Sequence, residues 1–369
     1  MAVYLDHNAT TPMRPQAIEA MVEVMRVVGN ASSVHGFGRA ARGRVDRARR
    51  QVAALVGGTA ANVVFTSGGT EANNLALRGC GRARVLVSAI EHDSVLTPIE
   101  QAERIPVHAS GVVDLAALER MLAATAEPAL VAVMLANNET GVIQPVAEVV
   151  RIARRHGALV ACDAVQAAGK IALDIAALGV DYLSLSAHKL GGPQGVGALV
   201  LREGAPLEAV QSGGGQERGR RGGTENVAGI VGFGAAADVA LAGLDSFARL
   251  AELRDRVQVA LTGALVLGAQ APRLPNTLNV AMPGVPAQTQ IMALDLAGIA
   301  ISAGSACSSG KVKFSPVLHA MGVDEKDAGS ALRISFGWNS TEADAARMIE
   351  AWMDVYRRLA APDHALAAA

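Results

Sequence analysis

Apolar positions along the chain follow two rhythms. Over residues 14–28, and again over 39–56, they recur at helical spacing, and the second segment carries a heavily basic opposite face. Short apolar runs follow at 63–65, 84–88, 130–134, 159–161, 182–185 and 197–201, each bounded by turn residues. Strands of 3–6 residues separated by longer helical stretches predict β-α-β units, a mainly parallel sheet with covered faces and an α/β fold. Beyond about residue 235 the texture changes. The spacing there predicts a long helix over 245–263, a mixed region punctuated by Pro272, Pro275, Pro283 and Pro286, and a final helix over about 343–359. This part is expected to form a second, smaller α+β domain joined by the long helix. The tail after Ala360 is expected to fray.

Composition narrows the function classes. The 369 residues allow two domains. With 33 basic against 34 acidic residues, the net charge of −1 argues against nucleic-acid binding and against a polybasic membrane surface. No apolar run reaches the ~20 residues of a membrane span, and residues 1–7 lack the basic flank and apolar core of a secretory signal. Cys80, Cys162 and Cys307 cannot all pair and none stands in C-x-x-C spacing, so a disulfide framework or zinc site is not expected, and a reducing, cytoplasmic setting fits. The histidines show no metal-ligand spacing. The arginine run over 39–50 is expected to be a solvated helix face. The 39 glycines exceed the usual share of about 7%, and they cluster.

Four clusters could carry chemistry. Thr66-Ser-Gly-Gly69-Thr70-Glu-Ala-Asn73 follows a strand and opens a helix, which suits either a phosphate held by free N–H groups or simply a capped helix after a tight turn. Asp163-Ala-Val-Gln166 ends an apolar strand, where a carboxylate can meet a cationic ring nitrogen or merely cap the strand. Lys189 lies in Ser184-Leu-Ser186-Ala-His188-Lys189-Leu-Gly-Gly-Pro193; such a lysine either forms a Schiff base, its amine deprotonated by desolvation or nearby cations, or is a surface ion-pair lysine. Cys307, within Ser302-Ala-Gly-Ser-Ala-Cys307-Ser-Ser-Gly310, is surrounded by small polar residues and reads as an exposed, reactive thiol, whereas Cys80 and Cys162 read as packing residues.

These clusters, in this order, resemble the pyridoxal-phosphate cysteine desulfurases of the NifS/IscS type, members of the fold-type I, class-V aminotransferase-like enzymes. The resemblance extends over nearly the whole chain through Tyr4-Leu-Asp6-His-Asn8-Ala-Thr-Thr11, Asn30-Ala-Ser-Ser-Val-His35, Glu91-His92-Asp-Ser94, Asn137-Asn138-Glu139-Thr-Gly141, Gly213-Gly-Gly-Gln-Glu217-Arg-Gly-Arg-Arg-Gly-Gly-Thr224 and Leu332-Arg333-Ile-Ser335. It implies a large domain over 12–245 with a mainly parallel seven-stranded sheet, and a small α+β domain from 1–11 with 246–369. It also implies site roles. Lys189 would carry the cofactor and move the substrate proton, Asp163 would pair with the ring nitrogen, and His92 would stack on the ring. Gln166 and Asn138 would lie near the phenolic oxygen, Asn138 also close to substrate. Gly69, Thr70, Ser186 and His188 would hold the phosphate, with Thr224 reaching the phosphate of a neighbouring subunit in a homodimer. Arg333 would clamp the substrate carboxylate.

The implied reaction takes sulfur from L-cysteine, leaves a persulfide on Cys307 and releases L-alanine, with a NifU/IscU-like scaffold or other acceptor next in line for iron–sulfur cluster or other sulfur-cofactor assembly. The ten-residue interval from Cys307 to Val317 resembles the NifS/IscS branch rather than the SufS-like one. A selenocysteine lyase or an aminotransferase of the same fold is the nearest alternative, and the thiol at Cys307 argues against the aminotransferase. His7, Ala31 and Gln194 depart from the family's usual Asn, Pro and Lys; none of them has an implied catalytic role.

Overall fold

The computed structural model describes residues 2–303 and 315–359. Its strands are β1 (Val3–Tyr4), β2 (Val63–Thr66), β3 (Arg84–Ser88), β4 (Glu103–Ile105), β5 (Ala129–Ala132), β6 (Leu159–Asp163), β7 (Tyr182–Ser186), β8 (Gly197–Leu201), β9 (Leu265–Leu267), β10 (Thr277–Ala281), β11 (Ile299–Ala300) and β12 (Ala331–Ser335). Seven of them form one sheet in the order β2-β8-β7-β6-β5-β3-β4. Neighbours from β4 through β7 pair in parallel. The crossovers bury their apolar stripes on the sheet. In the helix Val146–Arg155, Val146, Val149, Val150, Ile152 and Ala153 are buried while Arg151, Arg154 and Arg155 face outward.

β8 alone runs against its neighbours, antiparallel to both β7 and β2. The chain therefore doubles back directly after β7, which leaves residues 187–196 lying over the carboxyl ends of the parallel strands. Gly197 makes this possible. A Cβ there would sit 2.5 Å from the carbonyl carbon of Gly68 and 2.7 Å from Leu185 O, so only glycine lets β8 start against the turn that follows β2.

Val3, Leu5, Leu253, Val257, Leu278 and Trp352 belong to a separate apolar core. It surrounds an antiparallel sheet β12-β10-β9 and the parallel pair β1-β11. The N-terminal strand thus packs with the C-terminal part of the chain, and residues 6–11 then cross to the large sheet.

The sequence pattern holds for α1 (Pro15–Met25), α2 (Gly36–Leu55) and the final helix Glu342–Leu359. The helix expected over 245–263 is present, in two abutting pieces, and a separate helix precedes it. Val227–Ala242 ends at Gly243, and Leu244–Ala248 and Leu250–Ala260 continue at 68° to it, because the Gly243 N–H turns back to the Val239 and Ala240 carbonyls. Edge strand β4 has only three residues, two of them charged, and so carries no apolar signal. No single helix among the described residues is long and apolar enough to cross a membrane. Cys80 and Cys162 are both buried.

The arginine run over 39–50 is only in part a solvated face. Arg49 is buried and makes a bidentate pair with Glu217 at 2.6 and 2.8 Å, also donating to Val63 O. Glu217 in turn accepts the Phe65 N–H at 2.9 Å, so the glycine-rich loop is pinned to β2. Glu217 and Arg218 hold this position with φ of 48° and 59°, a left-handed stretch that few side chains tolerate. Removing one partner strands a buried charge, so Glu217→Ala should lower stability by about 3 kcal/mol or more. Thermal unfolding would show it, and a Tm unchanged within a degree would refute this role.

Candidate active site

The carboxyl ends of β5, β6 and β7 open into a cavity of about 350 Å³. Gly69, Thr70, His92, Asn138 and Asp163 line it, and so do Gln166, Ser186, His188, Lys189 and Arg333. Residues separated by more than 250 positions in sequence therefore share one hollow.

Asp163 is the last residue of β6, and both its oxygens are held. Oδ1 accepts the Val165 N–H at 2.9 Å and Oδ2 accepts Asn73 Nδ2 at 2.8 Å. Asn73 also donates to Ser94 Oγ at 2.9 Å, which ties the carboxylate to the segment carrying His92. His92 caps the short helix Asp93–Leu96, its Nδ1 accepting the Ser94 N–H at 3.0 Å. A ring nitrogen that accepts carries no proton, so the neutral ring bears its proton on Nε2.

Lys189 sits in the turn Ala187–Lys189 after β7, its Nζ donating to the carbonyls of Asn8 and Ala9 at 2.6 Å each. His188 beside it contacts Thr10 Oγ1 at 3.2 Å through Nδ1. Burial first, then the charges of Lys189 and Lys170, hold the His188 pKa down at about 4, so this imidazole is neutral at physiological pH.

The N-terminus of α3 (Gly69–Gly79) forms a second hollow of about 430 Å³ with Thr70, Ser186 and His188 in its wall. First-turn N–H groups of a helix have no acceptor within the helix, which is the arrangement that receives an anion. A Cβ on Gly69 would lie 2.7 Å from Val165 Cγ2, so glycine is needed for the helix to start this close to the end of β6.

Arg333, in the middle of β12, donates from Nη2 to Asp6 Oδ1 at 2.7 Å and from Nη1 to Asn138 O at 3.0 Å. Its Nε is buried without a partner among the described residues. A guanidinium has five N–H bonds, so three remain for a carboxylate entering the cavity. Nearby, Gln166 donates from Nε2 to Asn8 O at 2.9 Å.

Two predicted residues stand apart. Thr224 is exposed and is not in the wall of either hollow. Cys307 lies outside the described residues. The sequence reading gave no role to Asp6, which steadies Arg333, to Asn73, which steadies Asp163, or to Lys170, which bonds Gln166. Asn73 and Lys170 each had a signal: they stand four positions after Gly69 and Gln166, on the same side of a helical turn. Asp6 had none, since its partner is on β12.

The class-V aminotransferase family pattern matches residues 3–348. The chain belongs to the class-V aminotransferase family. Its similarity to the cysteine desulfurases of that family spans almost the whole length. It is 42% identical over 370 residues to the IscS-like cysteine desulfurase of Mycobacterium tuberculosis, covering 94% of each chain. It is 43% identical over 367 residues to a cysteine desulfurase of Cereibacter sphaeroides, again covering 94% of each. Among solved structures, the NifS-like protein from Rickettsia africae superposes with a TM-score of 0.90 at 35% identity, covering 97% of this chain and all of the other. This family member therefore has the NifS-like fold, α/β with a mixed, mostly parallel sheet.

Proposed function

We propose that the protein is a pyridoxal-phosphate-dependent cysteine desulfurase, taking sulfur from L-cysteine, leaving it as a persulfide on Cys307 and releasing L-alanine. The observation that carries this reading is the convergence of an amine, an anchored carboxylate, an imidazole and a guanidinium on one cavity.

The residues suit pyridoxal phosphate. A helix N-terminus with Thr70, Ser186 and neutral His188 offers donors to a phosphate, Lys189 offers the amine for a carbonyl, and Asp163 faces the same cavity with its charge held in place. Bound there, the cofactor would supply an electron sink for the substrate carbon.

The chain's own groups would do the rest. The guanidinium of Arg333, which lines the cavity, would grip the substrate carboxylate with N–H bonds it does not spend on Asp6 and Asn138, and Asp6 would fix its plane. Asn138 lies beside that grip, its carbonyl bonded by Arg333. Lys189 would take and return the proton at the substrate α-carbon, and the Cys307 thiolate would receive the sulfur.

The finer reading extends to assembly. Thr224 is exposed on its loop, and Ile18, Val22 and Met25 expose apolar surface on α1. Both features fit a homodimer in which Thr224 reaches the other subunit's phosphate hollow. The persulfide would pass to a NifU/IscU-like scaffold or another sulfur acceptor in the cytoplasm, and no nucleic acid or membrane is involved.

The test is chemical. Purified protein given L-cysteine and a reductant should form alanine and sulfide in equal amounts. Cys307→Ala should lose both products together. Alanine formation that survives in Cys307→Ala would rule out the persulfide route, and a colourless protein forming no alanine would overturn the whole reading.

A further inference from the structure

Lys170 is 3% exposed and does not line the cavity. It lies in the turn after β6, its N–H bonded to Ala167 O, and no carboxylate among the described residues pairs with it. A buried amine without a counter-ion is costly, and a methionine of similar shape would fill the space more cheaply. Its bonds show what the cost sustains. Nζ donates to Gln166 Oε1 at 2.8 Å and to Asn8 Oδ1 at 3.0 Å.

Two donor N–H bonds directed at two carboxamides decide which way each amide faces. With Oε1 turned to Lys170, Gln166 must point Nε2 away. One of its N–H bonds goes to Asn8 O at 2.9 Å, and the other has no acceptor among the described residues, although Gln166 lines the cavity. Asn8 is fixed in the same sense. Its Oδ1 is held by Lys170 and by Asn276 Nδ2 at 3.1 Å, so its Nδ2 donates to Thr277 Oγ1 and Asn138 O. The Asn8 carbonyl thereby stays where it accepts both Gln166 and Lys189.

We propose that Lys170 is a positioning residue that locks the Gln166 carboxamide with an N–H toward the cavity, so that Gln166 serves as a hydrogen-bond donor to an anionic oxygen of the bound cofactor. This rests on the proposed function. Without Lys170 the Gln166 amide can turn over and present its oxygen, an acceptor, to that anion. The ionisable groups around Lys170 are Lys189, Arg333, His7 and His188, the two histidines with pKa values held down at about 4. Burial, then Lys189 and Arg333, push the Lys170 amine well below its ordinary range, and a neutral amine still has the two N–H bonds this role needs.

The experiment follows the visible absorption band of the holoenzyme against pH. Lys170→Met should move the midpoint of the band's pH transition up by about one unit, because the deprotonated form loses an oriented donor. In a Gln166→Leu background the same change should add no further shift. Lys170→Gln, which keeps an N–H facing Gln166 and is the less disruptive replacement, should stay nearer the wild-type midpoint than Lys170→Met. If Lys170→Met does not fold, Lys170→Gln is compared with and without Gln166→Leu, and any shift it shows must vanish in that background. An unmoved midpoint in Lys170→Met, an equal shift in both Gln166 backgrounds, or a Lys170→Gln shift as large as that of Lys170→Met overturns the lock. Wild-type protein without a cofactor band would instead overturn the proposed function itself.

Discussion

Replacing Lys189 with alanine should reduce alanine formation from L-cysteine at least about a thousandfold, the scale that the role proposed for it, covalent anchor and proton carrier together, implies. The structure explains why no neighbour can substitute. Lys189 Nζ is aimed along the cavity edge by two carbonyls, Asn8 and Ala9, at 2.6 Å each. Lys170, the other buried amine, is committed to Asn8 and Gln166 and is absent from the cavity wall. The fold should survive, since Lys189 is only half-buried and lies in a turn after β7 rather than in either apolar core. Circular dichroism should therefore match the wild type while product analysis shows the loss. A variant retaining a tenth of the wild-type rate would show that Lys189 is not the acting amine.

Asp163→Asn should cost between a hundredfold and a thousandfold, about 3–4 kcal/mol of transition-state stabilisation. The substitution nearly preserves shape, removes the charge and turns one of the two accepting oxygens into a donor. In the wild type the Val165 N–H and Asn73 Nδ2 each donate to one carboxylate oxygen, holding the anion at the end of β6 with no reorganisation needed. Buried Glu91 does not replace it. Burial first, and Asp163 as well, push its acid well above the usual carboxylate range, which disfavours a second negative charge there. The rate should be read under saturating cysteine and cofactor, which separates lost chemistry from lost binding. A turnover within tenfold of wild type under those conditions would remove Asp163 from the role proposed for it.

Much of this molecule is legible from its order of residues. The largely apolar runs at 84–88, 182–185 and 197–201 became covered strands because a strand buried on both faces is apolar at most of its positions. The glycine and hydroxyl groups of residues 66–70 became a helix entrance because turn and cap chemistry is local. Two elements escaped the pattern where the signal was weakest: the helix Val227–Ala242 lies in a continuous Ala/Val stretch with no polar face, and β4 is too short to show any period.

Charged residues mark the boundary between what the sequence determined and what the tertiary structure decided. The sequence by itself determined the α/β class, the placing of Lys189, Asp163 and the glycine-hydroxyl turn of residues 66–70 at strand ends, and the family to which the chain belongs. Only the tertiary structure decided that Arg49 is buried against Glu217, 168 positions away, that Arg333 is steadied by Asp6, 327 positions away, and that Lys170 joins Asn8, 162 positions away. Periodicity and turn chemistry act over a few residues and are written in them. Whether an arginine or lysine is solvated or buried depends on which distant carbonyl, amide or carboxylate the fold brings to it, and no local pattern records that.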